Sequence, residues 1–102
     1  MPGLDNNKTC LHLLATSHIE AMERCAARFA RGDAVVFLDD GVMQLADPGR
    51  VFQSLFADCH FLEPDLEARG LARVAEETGA QTITDSEFVA LLKHHQACIT
   101  WK

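Results

Sequence analysis

Ala34-Val35-Val36-Phe37-Leu38, closed by Asp39-Asp40-Gly41, is the stretch that decides the fold class. Five apolar residues in a row show no in-and-out alternation. Such a run suits a strand covered on both faces, as in a parallel sheet flanked by helices. Asp-Asp-Gly is a turn signal, and it falls at the carboxyl end of the strand, where open α/β sheets place ligands. Upstream, Ser17 and Glu20 have the spacing of a capping box, and Ile19, Met22, Ala26 and Phe29 repeat on one helical face, with Gly32 as the stop. Before that helix, Cys10-Leu11-His12-Leu13-Leu14-Ala15 reads as a short buried strand.

Downstream the alternation continues. Asp47-Pro48 resembles an N-cap and first-turn pair ahead of Val51, Phe52, Leu55 and Phe56, which sit at helical spacing. Asp58 to Leu62 is a third strand, Glu63-Pro64-Asp65 opens a short helix, and Leu71, Val74 and Ala75 mark another turn or two before Gly79. Gln81-Thr82-Ile83-Thr84 is a β-branched strand. Thr84 and Glu87 form a second capping-box pattern ahead of Phe88, Leu91, Leu92 and His95, and Ala97 to Trp101 returns as a last strand. Strand and helix alternate without hairpin signals. The expected class is therefore α/β, a sheet with helices on both faces.

Composition sets the outer limits. The 102 residues suit one domain, with 1–9 as a polar extension and 10–102 as the folded unit. Nine basic residues are scattered among fifteen acidic ones, and the net charge of −6 argues against coating nucleic acid or a membrane surface. No apolar stretch approaches the ~20 residues of a membrane helix, and residues 1–8 lack a signal-peptide core. A cytoplasmic protein with reduced thiols is expected. Phosphate-binding glycine motifs and a G-x-S-x-G elbow are both missing from the sequence.

Cys25 is the candidate site residue. Counting at about 100° per residue puts it at the rim of the helical stripe, with Arg28 one turn on as a charge that would favour thiolate. It reads either as a nucleophilic thiol that carries sulfur or as a small hydrophobe packed at a helix edge. Cys10 and Cys59 lie in strands and read as core filling. His94 and Cys98 have i, i+4 spacing, but a metal site needs further ligands and none is expected. Asp39 and Asp40 read as a turn or as a loop beside a site. Asp65 and Arg69 read as a surface pair at i, i+4. Trp101 is either tucked under the last helix or an interface anchor.

Taken together, several segments resemble the DsrH/TusB family of sulfur-relay subunits. They are Leu11-His12 with Ser17, Cys25 spaced from Asp39-Asp40-Gly41-Val42, Asp65-Leu66 with Ala68-Arg69-Gly70-Leu71, and Asp85 with Phe88-Val89 and Trp101. The resemblance runs from Leu11 to Trp101, with His18 standing where the family often has proline. It implies a three-layer α/β/α sandwich with a five-stranded, largely parallel sheet. It also implies a hexamer shared with DsrE/TusD-like and DsrF/TusC-like sisters, and persulfide sulfur handed on to a DsrC/TusE-like acceptor. The sulfur then serves tRNA 2-thiouridine synthesis or oxidative sulfur metabolism. A helix cysteine at the position of Cys25 is a feature of the sulfur-oxidising branch, while the principal sulfur acceptor belongs to the DsrE/TusD-like sister. On this resemblance Cys25 would be a persulfide thiol supported by Arg28, with Asp39, Asp40 and Gly41 forming the cleft loop. No cofactor and no independent activity are expected; the alternative is a purely structural subunit in which Cys25 is packing.

Overall fold

A computed structural model describes residues 9–47, 49, 52–56 and 58–102. Five strands form one parallel sheet: β1 (Cys10–Leu14), β2 (Ala34–Phe37), β3 (Cys59–Leu62), β4 (Thr82–Ile83) and β5 (Ala97–Trp101). Their spatial order is β4-β3-β2-β1-β5, so β1, β2 and β3 lie inside and the short β4 and the longer β5 are the edges. The helices are α1 (Ile19–Arg28), α2 (Phe52–Leu55), α3 (Glu63–Ala68), α4 (Ala72–Thr78) and α5 (Asp85–His94), with a 3-10 helix over Asp39–Ala46. The expected three-layer α/β/α sandwich is what forms. Pro48 and Val51 of the expected helix start, and residues 1–8 of the extension, lie outside the described residues.

The two sheet faces are covered unequally. All four residues of β2 are buried, as its unbroken apolar run requires. Val35 and Phe37 point to one face with Leu14 and Phe61, where α1, the 3-10 helix, α2, α3 and α4 close over them. Phe37 stacks on Phe61 at 4.7 Å between ring centroids, with Phe52 and Phe56 edge-on to Phe37. Ala34 and Val36 point the other way with Leu11, Leu62 and Ile83. Among the described residues, α5 alone covers that second face, through Phe88 and Leu91.

Helix starts depart from the sequence pattern in one case and follow it in another. The Thr84–Glu87 capping box forms, with Glu87 N–H donating to Thr84 Oγ1 at 3.2 Å and Thr84 N–H donating to Glu87 Oε1 at 2.8 Å. The Ser17–Glu20 box does not. The N-cap is His18, and its N–H is taken instead by Thr16 Oγ1. The helix thus starts one residue later than the pattern predicts, and no side chain caps it. Likewise α1 ends at Arg28, four residues before Gly32, because Asp33 turns back to accept the Ala30 N–H.

The strand–loop junction after β2 is tight. The Leu14 carbonyl accepts the Leu38 N–H at 3.1 Å, and Gly41 presses against the same carbonyl, so a Cβ at position 41 would collide with its oxygen. Gly41→Ala is expected to destabilise the protein by at least about 3 kcal/mol, because backbone on both sides must move. Urea unfolding of the variant would measure it, and a loss below about 1 kcal/mol would show the junction to be looser than described.

Candidate functional site

Cys25 lies at the centre of the α1 interface. The buried residues of α1 are Ala21, Met22 and Cys25, and Ile19 is an exposed apolar residue at 39%. With Ala21 set at zero, Cys25 falls near 40°, Phe29 near 80° and Met22 near 100°, so the buried arc centres on the thiol. The rim position expected from the Ile19-Met22-Ala26-Phe29 stripe is thus corrected. Ile19 opens the first turn at the end of the helix, where the core no longer reaches it, and it pulled the apparent stripe to one side. Cys25 has no solvent exposure, and burial pushes its thiol up to about 12, with Cys10 and Asp33 adding to the rise. The groups acting on that thiol are Cys10 and Asp33, while Arg28 acts on the Cys10 thiol, which it lowers. A working nucleophile needs the opposite on both counts.

The other thiols differ in access. Cys10 and Cys59 are half-buried and Cys98 is exposed; all four are free. Burial raises each of these three as well, Cys59 to about 11. His94 ends α5 and Cys98 lies in β5, so the i, i+4 spacing does not place them on one helix. Among the described residues no three His, Cys, Asp or Glu side chains form a group able to hold a metal ion.

Asp39 and Asp40 are brought together with Arg69 at the carboxyl end of β2. Arg69 Nη2 donates to Asp39 Oδ1 at 2.6 Å and to Asp40 Oδ1 at 2.9 Å. Asp40, with Asp39, holds the guanidinium above its ordinary value. Asp39 adopts a left-handed φ of 52°, which an aspartate tolerates, and its N–H donates to Asp65 Oδ2 at 2.6 Å. The expected Asp65–Arg69 pair is therefore replaced: Asp65 holds the backbone of the loop and Arg69 holds its carboxylates. The 3-10 helix is tied down on its other side by the buried Gln44, whose amide donates to the Ser17 carbonyl at 2.7 Å.

A second polar cluster escaped the sequence reading. His12 is buried in β1, with Nε2 at 2.9 Å from Asp33 Oδ2, while Trp101 Nε1–H donates to His12 Nδ1 at 3.1 Å. The indole can donate only to an unprotonated Nδ1, so the Nε2–H is the donor to Asp33. Asp33 also accepts N–H bonds from Cys10 and Ala30. Burial would raise its carboxyl, but the bonds from His12, Cys10 and Ala30 outweigh that and hold it below the ordinary value. Trp101 packs on the α1 side of the sheet, stacked on His12 at 6.2 Å, so it is not under the last helix. The signal was available as period two: His12 alternates with Leu11 and Leu13, hence shares a face with Leu14.

The family model described as DsrH like protein matches residues 15–98. The chain belongs to the DsrH family. Protein TusB of Pectobacterium parmentieri is 34% identical over 95 residues, covering 89% of this chain and 99% of that protein. Protein TusB of Photorhabdus laumondii subsp. laumondii is 38% identical over 72 residues, covering 66% of this chain and 74% of the relative. Protein TusB of Pectobacterium carotovorum subsp. carotovorum is 30% identical over 95 residues, with the same coverage as the first. The matched span in the DsrH family takes in α1 with Cys25, the Asp39–Gly41 loop and the α3 residues that brace it.

Two outcomes follow from these environments. In the folded chain, iodoacetamide is expected to modify Cys98 first and Cys25 last, at least about tenfold more slowly, read by peptide mass spectrometry. Asp33→Asn replaces a triple acceptor by a group with one acceptor oxygen, and should cost about 2–4 kcal/mol near neutral pH. Because the folded carboxyl titrates below its ordinary value of about 4, its contribution is complete above that pH and lost as pH falls through the folded value. The variant should therefore show a shallower acid-side loss of stability than the parent in denaturant titrations.

Proposed function

We propose that this chain is the DsrH/TusB-type subunit of a cytoplasmic sulfur-relay complex, where it stands beside DsrE/TusD-like and DsrF/TusC-like sisters and helps pass persulfide sulfur to a DsrC/TusE-like acceptor. Family membership and the TusB names of its relatives support this reading, and they favour the tRNA 2-thiouridine branch. Within that role the chain acts as a structural partner, with Cys25 as packing. The carrying observation is the complete burial of that thiol with its proton held to about 12. The braced Asp39-Asp40-Gly41 loop supplies a fixed surface at the carboxyl end of the sheet, suited to docking rather than to chemistry.

The test is reconstitution with the two sister subunits and a persulfide donor. Native mass spectrometry should find this chain in the assembly, and a Cys25→Ser variant in the same assembly should relay sulfur at the parent's rate. Failure to assemble with the sisters would remove the subunit role itself. Extra sulfur mapped to Cys25, or a fall of about tenfold or more in relay by an intact variant assembly, would instead restore the carrier assignment.

A further inference from the structure

Beside the β4 edge of the sheet, α3, α4 and β4 enclose a cavity of about 260 Å³. Its floor is apolar: Leu66 and Ala75 are buried there, with Ala72 and Ala80 beside them. Its rim is acidic. Glu63 and Glu67 stand one turn apart on α3, and Glu76 comes in from α4. Like charges at i, i+4 repel each other. All three carboxylates are exposed, and among the described residues none is paired with a cation. The two arginines of the neighbouring turns are committed elsewhere, Arg69 to Asp39 and Asp40 and Arg73 to Glu77. The fold thus gathers three negative charges around an apolar hollow and withholds its own cations from them.

The strand next to the cavity also has bonding groups to spare. Thr82 lines the hollow, and β4 is an edge strand. Phe61 N–H donates to the Gln81 carbonyl at 2.9 Å, in a parallel register that sets Phe61 opposite Thr82 and Leu62 opposite Ile83. Alternate residues of such a strand bond to the same neighbour, so Gln81 and Ile83 serve β3 and the Thr82 N–H and C=O point outward. A segment laid along that edge turns every second side chain to the α3–α4 face, into the cavity.

We infer that this cavity seats an arginine side chain, presented by an extended segment of a partner protein that adds to the sheet at Thr82. The volume falls below the roughly 300–1,000 Å³ of small-molecule sites and suits one long side chain. The aliphatic stem covers the apolar floor, while the planar guanidinium, with its fork of donors, can bond more than one rim carboxylate at a time. The net charge of −6 adds a general attraction for a basic segment. No lining residue belongs to α1 or to the Asp39-Asp40-Gly41 loop, so this docking stands or falls apart from the relay role.

The test titrates the acetylated, amidated pentapeptide Thr-Val-Arg-Val-Thr into the isotope-labelled full chain and follows the backbone amides by NMR. The amides of Glu63, Glu67, Glu76 and Thr82 should move together, and the Thr82 amide should exchange more slowly with solvent once it is paired. Citrulline in place of the arginine keeps the shape without the charge, and should bind at least about tenfold more weakly. Glu67→Gln combined with Glu76→Gln changes only exposed groups and should weaken binding by about the same factor. Glu63→Gln serves if that variant fails to fold. Arginine amide lacks the extended segment, so it should bind at least about tenfold more weakly than the peptide and leave Thr82 unmoved. The docking is overturned if these amides stay still at about 5 mM peptide, if the citrulline peptide binds as tightly, or if the folded variants bind like the parent. It is also overturned if arginine amide matches the peptide, which would make the hollow a site for a free small cation.

Discussion

The carboxylate of Asp33 is the interaction on which the rest of the structure leans. It sits buried in the turn between α1 and β2 and accepts from the Cys10 and Ala30 backbones and from His12. Through those bonds it fixes where β1 begins, where α1 stops and how β2 enters the sheet. Through His12 it reaches Trp101 and so the edge strand β5. A buried carboxylate is costly unless fully paired, and a partly satisfied network is worse than an apolar core. Full satisfaction here therefore specifies one arrangement of three strands and a helix.

The opposite end of the sheet is fixed by different means. There the constraint is steric: Gly41 must pass against the Leu14 carbonyl, and Asp39 takes a left-handed turn to let it. Arg69 and Asp65, both from the α3 region, then hold the side chains and backbone of the loop. These ion pairs are largely exposed and contribute little stability by themselves. Their effect is to reduce the number of loop conformations, which is what a docking surface needs.

How much of this was legible follows from the range of the signals. The β2 run, the α/β alternation and the Thr84–Glu87 cap are local, and each was readable because the residues that decide it lie within a few positions of one another. The Ser17–Glu20 cap failed because the helix begins one residue later, with His18 at the N-cap and no side chain capping it. The Asp65–Arg69 pairing failed because the true partners of Arg69 lie about thirty residues upstream, beyond the reach of a helical-spacing argument. His12, Asp33 and Trp101 are separated by 21 and 89 positions in their two bonds, so only sheet register brings them together.

Cys25 shows how a small angular error changes a chemical conclusion. Placing Ile19 in the apolar stripe moved the stripe's centre and left the thiol at its rim, where access and a positive neighbour made thiolate plausible. The packing of Ala21, Met22 and Phe29 rotates the buried arc onto the thiol. With no water beside it, the anion loses its hydration and the proton stays on sulfur. A cysteine in that setting is a small, polarisable core residue. Its spacing to the Asp39-Asp40-Gly41 loop then follows from the fold: a helix of fixed length must return the chain from the far end of the sheet to β2. That distance is set by the path of the chain from α1 into β2 and says nothing about catalysis.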